Sequence, residues 1–430
     1  MRRHLALIPE ALLALTVLAS VACTAWQFGV LGYLPQPFVF DTNDTFMDWF
    51  NTAYWANNPG TYDVWRSIYP PLSFVFLDAF SLPGCYLNSP FYARDCDWLG
   101  RGVIVGFYLL DVALAWLSFR SADPRTAPMR TIAIGLGLPL LFTLERGNLI
   151  LVAFACFMLA HGPLRIGARW RYAATAATIN FKPYLLLPVA ALAVKRKWRA
   201  LELAGIATVL LYLATLAVVG SGTPGELAAN TANWLVFQSG QVWNEVHYST
   251  SYAPLLLIRA SQMPILTYIP SRTIETIETI VPIAIRTSQL VALLALAGVW
   301  LQPRAVSAHR IATLLLGAYL IAQSPGGYTQ TFLLFLVFLE PWRRGGPIVA
   351  LICAYLLCIV ADRTLTTILE VPGTSWLSGQ SVTASFGIAL GHFVRPGLII
   401  LIVWALAIDS IALVVRAHLT QRPSLGLQPA

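Results

Sequence analysis

Charge is what this chain has least of. Only 11% of its 430 residues are Asp, Glu, Lys or Arg, against about 25% in soluble domains. That scarcity excludes an ordinary water-soluble enzyme, and no interval between the apolar runs is long enough for a separate soluble domain. Metal-binding patterns are missing too: the six cysteines and six histidines form no C-x-x-C and no H-E-x-x-H, so no metal or cofactor is expected. No internal repeat is evident, which leaves an inverted-repeat transporter without support. The net charge of +8 does not indicate a nucleic-acid partner. Most of the basic residues stand in short clusters between apolar runs, where they act as orientation signals in a bilayer.

What is present is hydrophobic sequence, 57% of the chain. Together with the length, this suits a polytopic, all-α membrane protein of roughly a dozen helical spans. Residues 1–430 read as one integral-membrane domain, with a large first outer loop over 31–100 and further outer loops over 220–254 and 362–393. The N-terminus resembles a signal peptide ending before Cys23. However, its apolar run continues through Trp26, Phe28, Val30 and Leu31, so it reads as an uncleaved first span. Arg2 and Arg3 place the N-terminus inside, and Arg416 and Arg422 do the same for the tail. Cys85 and Cys96 share one polar loop and would pair in an oxidising compartment. The expected setting is a bacterial inner membrane with both termini cytoplasmic.

The stretch richest in chemistry is Asp41–Pro71, just after the first span. Asp41, Asp44 and Asp48 stand at i, i+3 and i+7, on one face if this part is helical. Phe46, Trp49, Phe50, Tyr54 and Trp55 are interleaved with them. Acids beside aromatics at the lip of a span serve to bind a cation or a sugar, or supply a base. Two amphipathic helices are expected in this loop, over 45–57 and 70–80. Asp44 has a simpler reading as the cap of the first of them, and Asp41 reads as structural.

A second informative segment is Arg171–Arg199. Its length suits one crossing, yet both ends are basic. Positive-inside counting therefore makes it a hairpin of two short helices, broken at Lys182-Pro183. A lysine at membrane depth is costly and usually functional. On this topology the acidic lip, Tyr69-Pro70-Pro71, Glu145–Asn148, the Trp-rich loop containing His247, Ser324–Tyr328 and the Lys182 tip all lie on the outer side. Asp95-Cys96-Asp97 is formally a D-x-D, but it falls on the side where nucleotide sugars are not expected.

These motifs resemble glycosyltransferase family 87, the polyprenol-phosphate-mannose-dependent mannosyltransferases. Asp44 or Asp48 matches the family's acid after the first span, Tyr62 its tyrosine, and Tyr69-Pro70-Pro71 its Tyr-Pro-Pro. Gly147-Asn148 looks like its Gly-Gln/Asn turn and Phe181-Lys182-Pro183 its Lys-Pro. Asn244–Ser249 and Ser324-Pro325 are similar to its outer-loop and Ser-Pro turns. The matches keep the family's order over about three quarters of the chain, although His247-Tyr248 stands where the family is richer in amides. The resemblance implies a GT-C fold of roughly 10–13 transmembrane helices. It also implies inverting transfer of a hexose, such as mannose, from a polyprenyl-phosphate donor to a hydroxyl of a glycan or glycolipid on the periplasmic face. Asp44 or Asp48 would then be the base. Lys182 and Arg146 would meet the donor phosphate, and Asn148, Tyr69, Tyr62 and His247 would contact substrate. The alternatives are a transporter or flippase of lipid-linked sugar, and a polysaccharide polymerase or ligase using a lipid-diphosphate donor.

Overall fold

A computed structural model describes residues 7–38, 41–220, 222–240, 251–252, 269–322, 327–342 and 345–421. The first apolar run forms α1 (Leu7–Leu31). The acidic stretch and the loop after it fold into α2 (Met47–Ala56), α3 (Pro71–Ala79) and α4 (Pro90–Cys96). Then follow α5 (Trp98–Ala122), α6 (Ala127–Gly135), α7 (Leu138–Arg146) and α8 (Ile150–His161). The basic-ended segment gives α9 (Ala168–Phe181) and α10 (Leu186–Val194), and α11 (Trp198–Val219) and α12 (Pro224–Gly240) come next. The last part of the chain holds α13 (Ser271–Leu301), α14 (Ala308–Leu320), α15 (Gln330–Val337), α16 (Gly346–Leu357), a β-hairpin and α17 (Gly391–Gln421).

Among the described residues, six helical segments are long and apolar enough to cross a bilayer: α1, α5, the run from α6 to α7, α11, α13 and α17. The remaining apolar runs are shorter helices. The protein is therefore a mostly helical, polytopic membrane protein. Side-chain exposure agrees with that. Leu210 and Leu213 of α11 and Leu293 and Leu294 of α13 are more than half exposed, which is stable where the surroundings are lipid. The centre is instead lined by Phe154 and Phe157 of α8, Phe332 and Phe335 of α15, and Tyr355 of α16, all buried.

The structure revises several expectations. The segment 362–393, expected as an outer loop, contains a β-hairpin. Strands β1 (Thr364–Thr374) and β2 (Ser381–Ala389) pair in antiparallel register, Glu370 opposite Ser385 and Thr374 opposite Ser381. The described chain is thus mostly helical, as expected of an α-helical polytopic membrane protein, with one two-stranded sheet added. Asp41, Asp44 and Asp48 do not share a helix face, because α2 begins only at Met47. Asp44 caps nothing: the residue before α2 is Phe46, in the left-handed region at φ 65°, and no side chain caps the helix. Part of the 220–254 loop is helical, as α12, and α13 begins well before Ile280, with Pro282 inside it.

The break at Lys182 forms a tip between antiparallel helices. Asn180 near the top of α9 donates to the Thr208 carbonyl of α11, and Tyr172, Ile179, Val189 and Leu201 share one apolar cluster. Tyr184 stacks on Tyr319 at the far end of α14, 5.4 Å between centroids. At the other end of α10, Lys195 donates to the Pro303 and Val306 carbonyls just before α14. The chain therefore rises through α9, turns at Lys182 and returns through α10.

Candidate functional site

Three elements meet at the Lys182 tip. Helix α7 ends at Arg146 because Gly147 takes φ 61° and closes the turn, Asn148 N–H donating to the Thr143 carbonyl. Asn148, buried, then accepts from Ile150 N–H and opens α8. The same turn accepts the acidic loop, since Phe46 N–H donates to the Glu145 carbonyl at 2.8 Å. A Cβ on Gly147 would stand 3.1 Å from Phe46 Cα. The glycine therefore sets both the helix end and how closely the acidic loop approaches.

On this frame the charged groups converge. The Arg146 guanidinium bridges two carboxylates, donating through Nη1 to Asp44 Oδ2 and through Nη2 to Asp48 Oδ1 at 2.7 Å. Asn148 Nδ2 holds the other Asp48 oxygen at 2.7 Å. The Tyr69 hydroxyl lies beside Asn148 and Thr52, and the Lys182 ammonium lies 4.6 Å from the centre of the Tyr69 ring. One unbroken chain of contacts thus runs Asp44, Arg146, Asp48, Asn148, Tyr69, Lys182. Five of the six are half-buried, and Asn148 is fully so. Among the described residues Lys182 has no hydrogen-bond acceptor and no paired carboxylate, although Asp48 is within electrostatic reach.

The two aspartates differ in what they have left to do. Both oxygens of Asp48 are occupied. Asp44 keeps one oxygen with no partner among the described residues, and burial raises its pKa above the usual aspartate value. Arg146 counters part of that rise, while Asp48 and Asp41 add to it. A raised pKa makes a stronger proton acceptor, provided the carboxylate is ionised at the working pH. Burial, with the Asp48 charge, also raises the Tyr69 phenol, so that it stays protonated. Asp41 only accepts from Asn43 N–H, an Asx turn.

Not every expected residue lines this site. Tyr62 is buried behind it: its hydroxyl donates to the Tyr69 carbonyl at 3.0 Å, and Asn230 of α12 holds its own carbonyl at 2.8 Å. That position props Tyr69 and offers no surface to a substrate. Arg146 was expected on a phosphate but is paired with two carboxylates, which leaves Lys182 as the cation available at this site among the described residues. His247, Asn244–Ser249 and Ser324-Pro325 lie outside the described residues. The D-x-D residues are structural. Asp97 accepts from Tyr86 O–H and caps α5 through Gly100 N–H, and Asp95 accepts from Trp376 Nε1–H and Arg94. Cys85 and Cys96 are joined as a disulfide.

Two residues that matter here went unnoticed in the sequence. Arg94, only 2% exposed, donates to the Asn43 and Thr45 carbonyls and to Asn43 Oδ1, bracketing Asp44. Trp376, in the turn between β1 and β2, sits 4.7 Å under the Arg94 guanidinium and edge-on to Phe46, and donates N–H to the Thr42 carbonyl. The sheet is thereby tied to the acidic loop. Only the disulfide partner two residues after Arg94 hinted at a fixed structure there.

No protein-family model, curated protein or solved structure matches the chain.

Proposed function

We propose that the protein is an inverting glycosyltransferase that moves a hexose from a polyprenyl-phosphate donor to an acceptor hydroxyl, with Asp44 as base and Lys182 on the donor phosphate. The observation that carries this reading is the placement of an available cation and a partly free carboxylate at opposite ends of one contact chain. The acceptor oxygen attacks the anomeric carbon as the bond from that carbon to the phosphate oxygen breaks. The acceptor proton goes to Asp44, and the phosphate leaves with the bonding pair. Lys182 offsets the charge that builds there, so no acid has to protonate the leaving group. Asp48 and Arg146 fix the base, and Tyr69 offers a ring face to the sugar. Lys182 sits at the break of a hairpin whose α9 is bonded to the outward-facing α11, and on this reading the lipid-linked phosphate would approach it from the bilayer. The resemblance to glycosyltransferase family 87 points the same way, since its acid, Gly-Asn and Lys-Pro motifs supply Asp44 or Asp48, Asn148 and Lys182.

The test is transfer by the purified protein from a panel of radiolabelled polyprenyl-monophosphate sugars. Transfer from at least one hexose donor is expected, with a loss of roughly a hundredfold or more in Asp44→Asn. Full activity of a folded Asp44→Asn variant would remove the base. Substrate movement across vesicles without any covalent product would point instead to a transporter.

A further inference from the structure

The far end of the molecule carries a group of residues that the proposed reaction does not use. Helix α10 ends with Arg196 in the left-handed region, φ 55°, a position glycine usually fills. The turn is closed by Lys197 N–H donating to the Leu192 carbonyl at 2.8 Å. An arginine there is explained by what its side chain does. Its guanidinium lies 5.3 Å over the Trp300 ring, and Nη2 donates to the Trp300 carbonyl at 2.8 Å. Trp300 in turn meets Trp198 edge-on at 5.9 Å. Trp198 is the first residue of α11 and Trp300 the penultimate residue of α13, so the two rings join the feet of these helices.

Both rings are exposed, Trp198 to 55% and Trp300 to 39%. Exposed cations stand next to them along the chain: Arg196 and Lys197 on the turn, Arg199 in the first turn of α11, and Arg304 in the loop to which Lys195 is bonded. The nearest acid in sequence is the exposed Glu202, one turn up α11. Beyond the rings, α11 and α13 present outward apolar side chains such as Leu210 and Leu293, each 62% exposed. Cations and amphipathic rings at the foot, with bare hydrocarbon above, complement a molecule that has a negative head and long acyl tails.

We propose that the foot of α11 and α13 binds an anionic phospholipid, its phosphate held by Arg196 and Arg199 beside the Trp198–Trp300 pair and its acyl chains along the two apolar faces. The site is separate from the acidic loop and needs no turnover. Native mass spectrometry of the full chain with equal phosphatidylglycerol and phosphatidylcholine is the direct test. The wild type should retain phosphatidylglycerol about tenfold over phosphatidylcholine, and R196Q/R199Q should lose that preference. Equal retention of the two lipids by the wild type would overturn the proposal, as would an unchanged preference in the folded double variant. A photoreactive phosphatidylglycerol supplies an arm that needs no variant. Cross-links to residues 196–210 and 290–304 are expected, and cross-links confined to other surfaces would refute the site.

Discussion

The pair of aspartates after the first helix divides its labour by hydrogen bonding. Asp48 is spent on Arg146 and Asn148, while Asp44 keeps an oxygen open and is made more basic by burial. This gives a pH dependence with a definite sign. An aspartate whose pKa lies above the ordinary 3.8 must lose its proton to act as a base. The acid limb of transfer should therefore fall above that value, with activity rising as pH increases through it. A pH–rate profile checks this, and a limb at or below 3.8 would exclude Asp44 as the titrating base. The raised pKa has the opposite effect on stability: the folded state binds this proton more tightly, so its contribution is full at low pH and is lost as pH rises through the folded value. At this scale the sequence was informative where chemistry demands a residue type in a costly place. Lys182 beside a proline in an apolar segment, and acids beside aromatics at a helix lip, stand out without any coordinates. The division between Asp44 and Asp48 was not legible, because it depends on a partner, Arg146, about a hundred residues away. The position of Tyr62 was not legible for the same reason, since it is set by the Tyr69 carbonyl and by Asn230 of α12.

Among the elements, the β-hairpin departs furthest from the sequence reading. Its alternating Thr, Leu and Val side chains lie between two apolar runs and look like a polar connection. Nothing local announces that Tyr33 and Gln36 will bind its second strand. Yet Gln36 exchanges two hydrogen bonds with Gly387, and the Tyr33 hydroxyl accepts from Ser385 N–H. The hairpin turn then supplies Trp376 against Phe46, whose left-handed backbone is unfavourable for so bulky a residue and persists only because its neighbours hold it. Helix ends were easier to foresee, since Pro71, Gly147 and Pro183 fix them by their own geometry. Replacing Gly147 by alanine combines a positive φ with a Cβ 3.1 Å from Phe46 Cα. A destabilisation of about 1–3 kcal/mol is expected, seen as a lower melting temperature, together with loss of transfer as the acidic loop shifts. A Gly147→Ala variant as stable and active as the wild type would mean that this turn does not position the loop.

Across the whole molecule, the ion pairs gather in separate groups, while Asp111 lies buried and unpaired midway along α5. One end holds the Asp44–Lys182 chain. The other holds the clusters that tie helices together: Glu10 with Arg130 at 2.7 Å, and Arg310 between Glu340 and Asp409. Basic loops had suggested this polarity from counting alone, and the hairpin at Lys182 fits it by returning α10 to the end where α9 began. Cysteines introduced at the exposed positions Asp63 and Ala173, with Cys23, Cys156, Cys353 and Cys358 replaced by alanine, should react with a membrane-impermeant reagent from opposite sides of sealed vesicles. Labelling of both from one side would break the topology. The central claim is that Lys182 receives the anion of a lipid-linked donor, and equilibrium binding tests it most directly. Binding of a polyprenyl-phosphate hexose is measured in an Asp44→Asn background, which stops turnover, with and without Lys182→Gln. Loss of the lysine should weaken binding roughly tenfold or more; equal affinity in the two folded proteins would contradict the account.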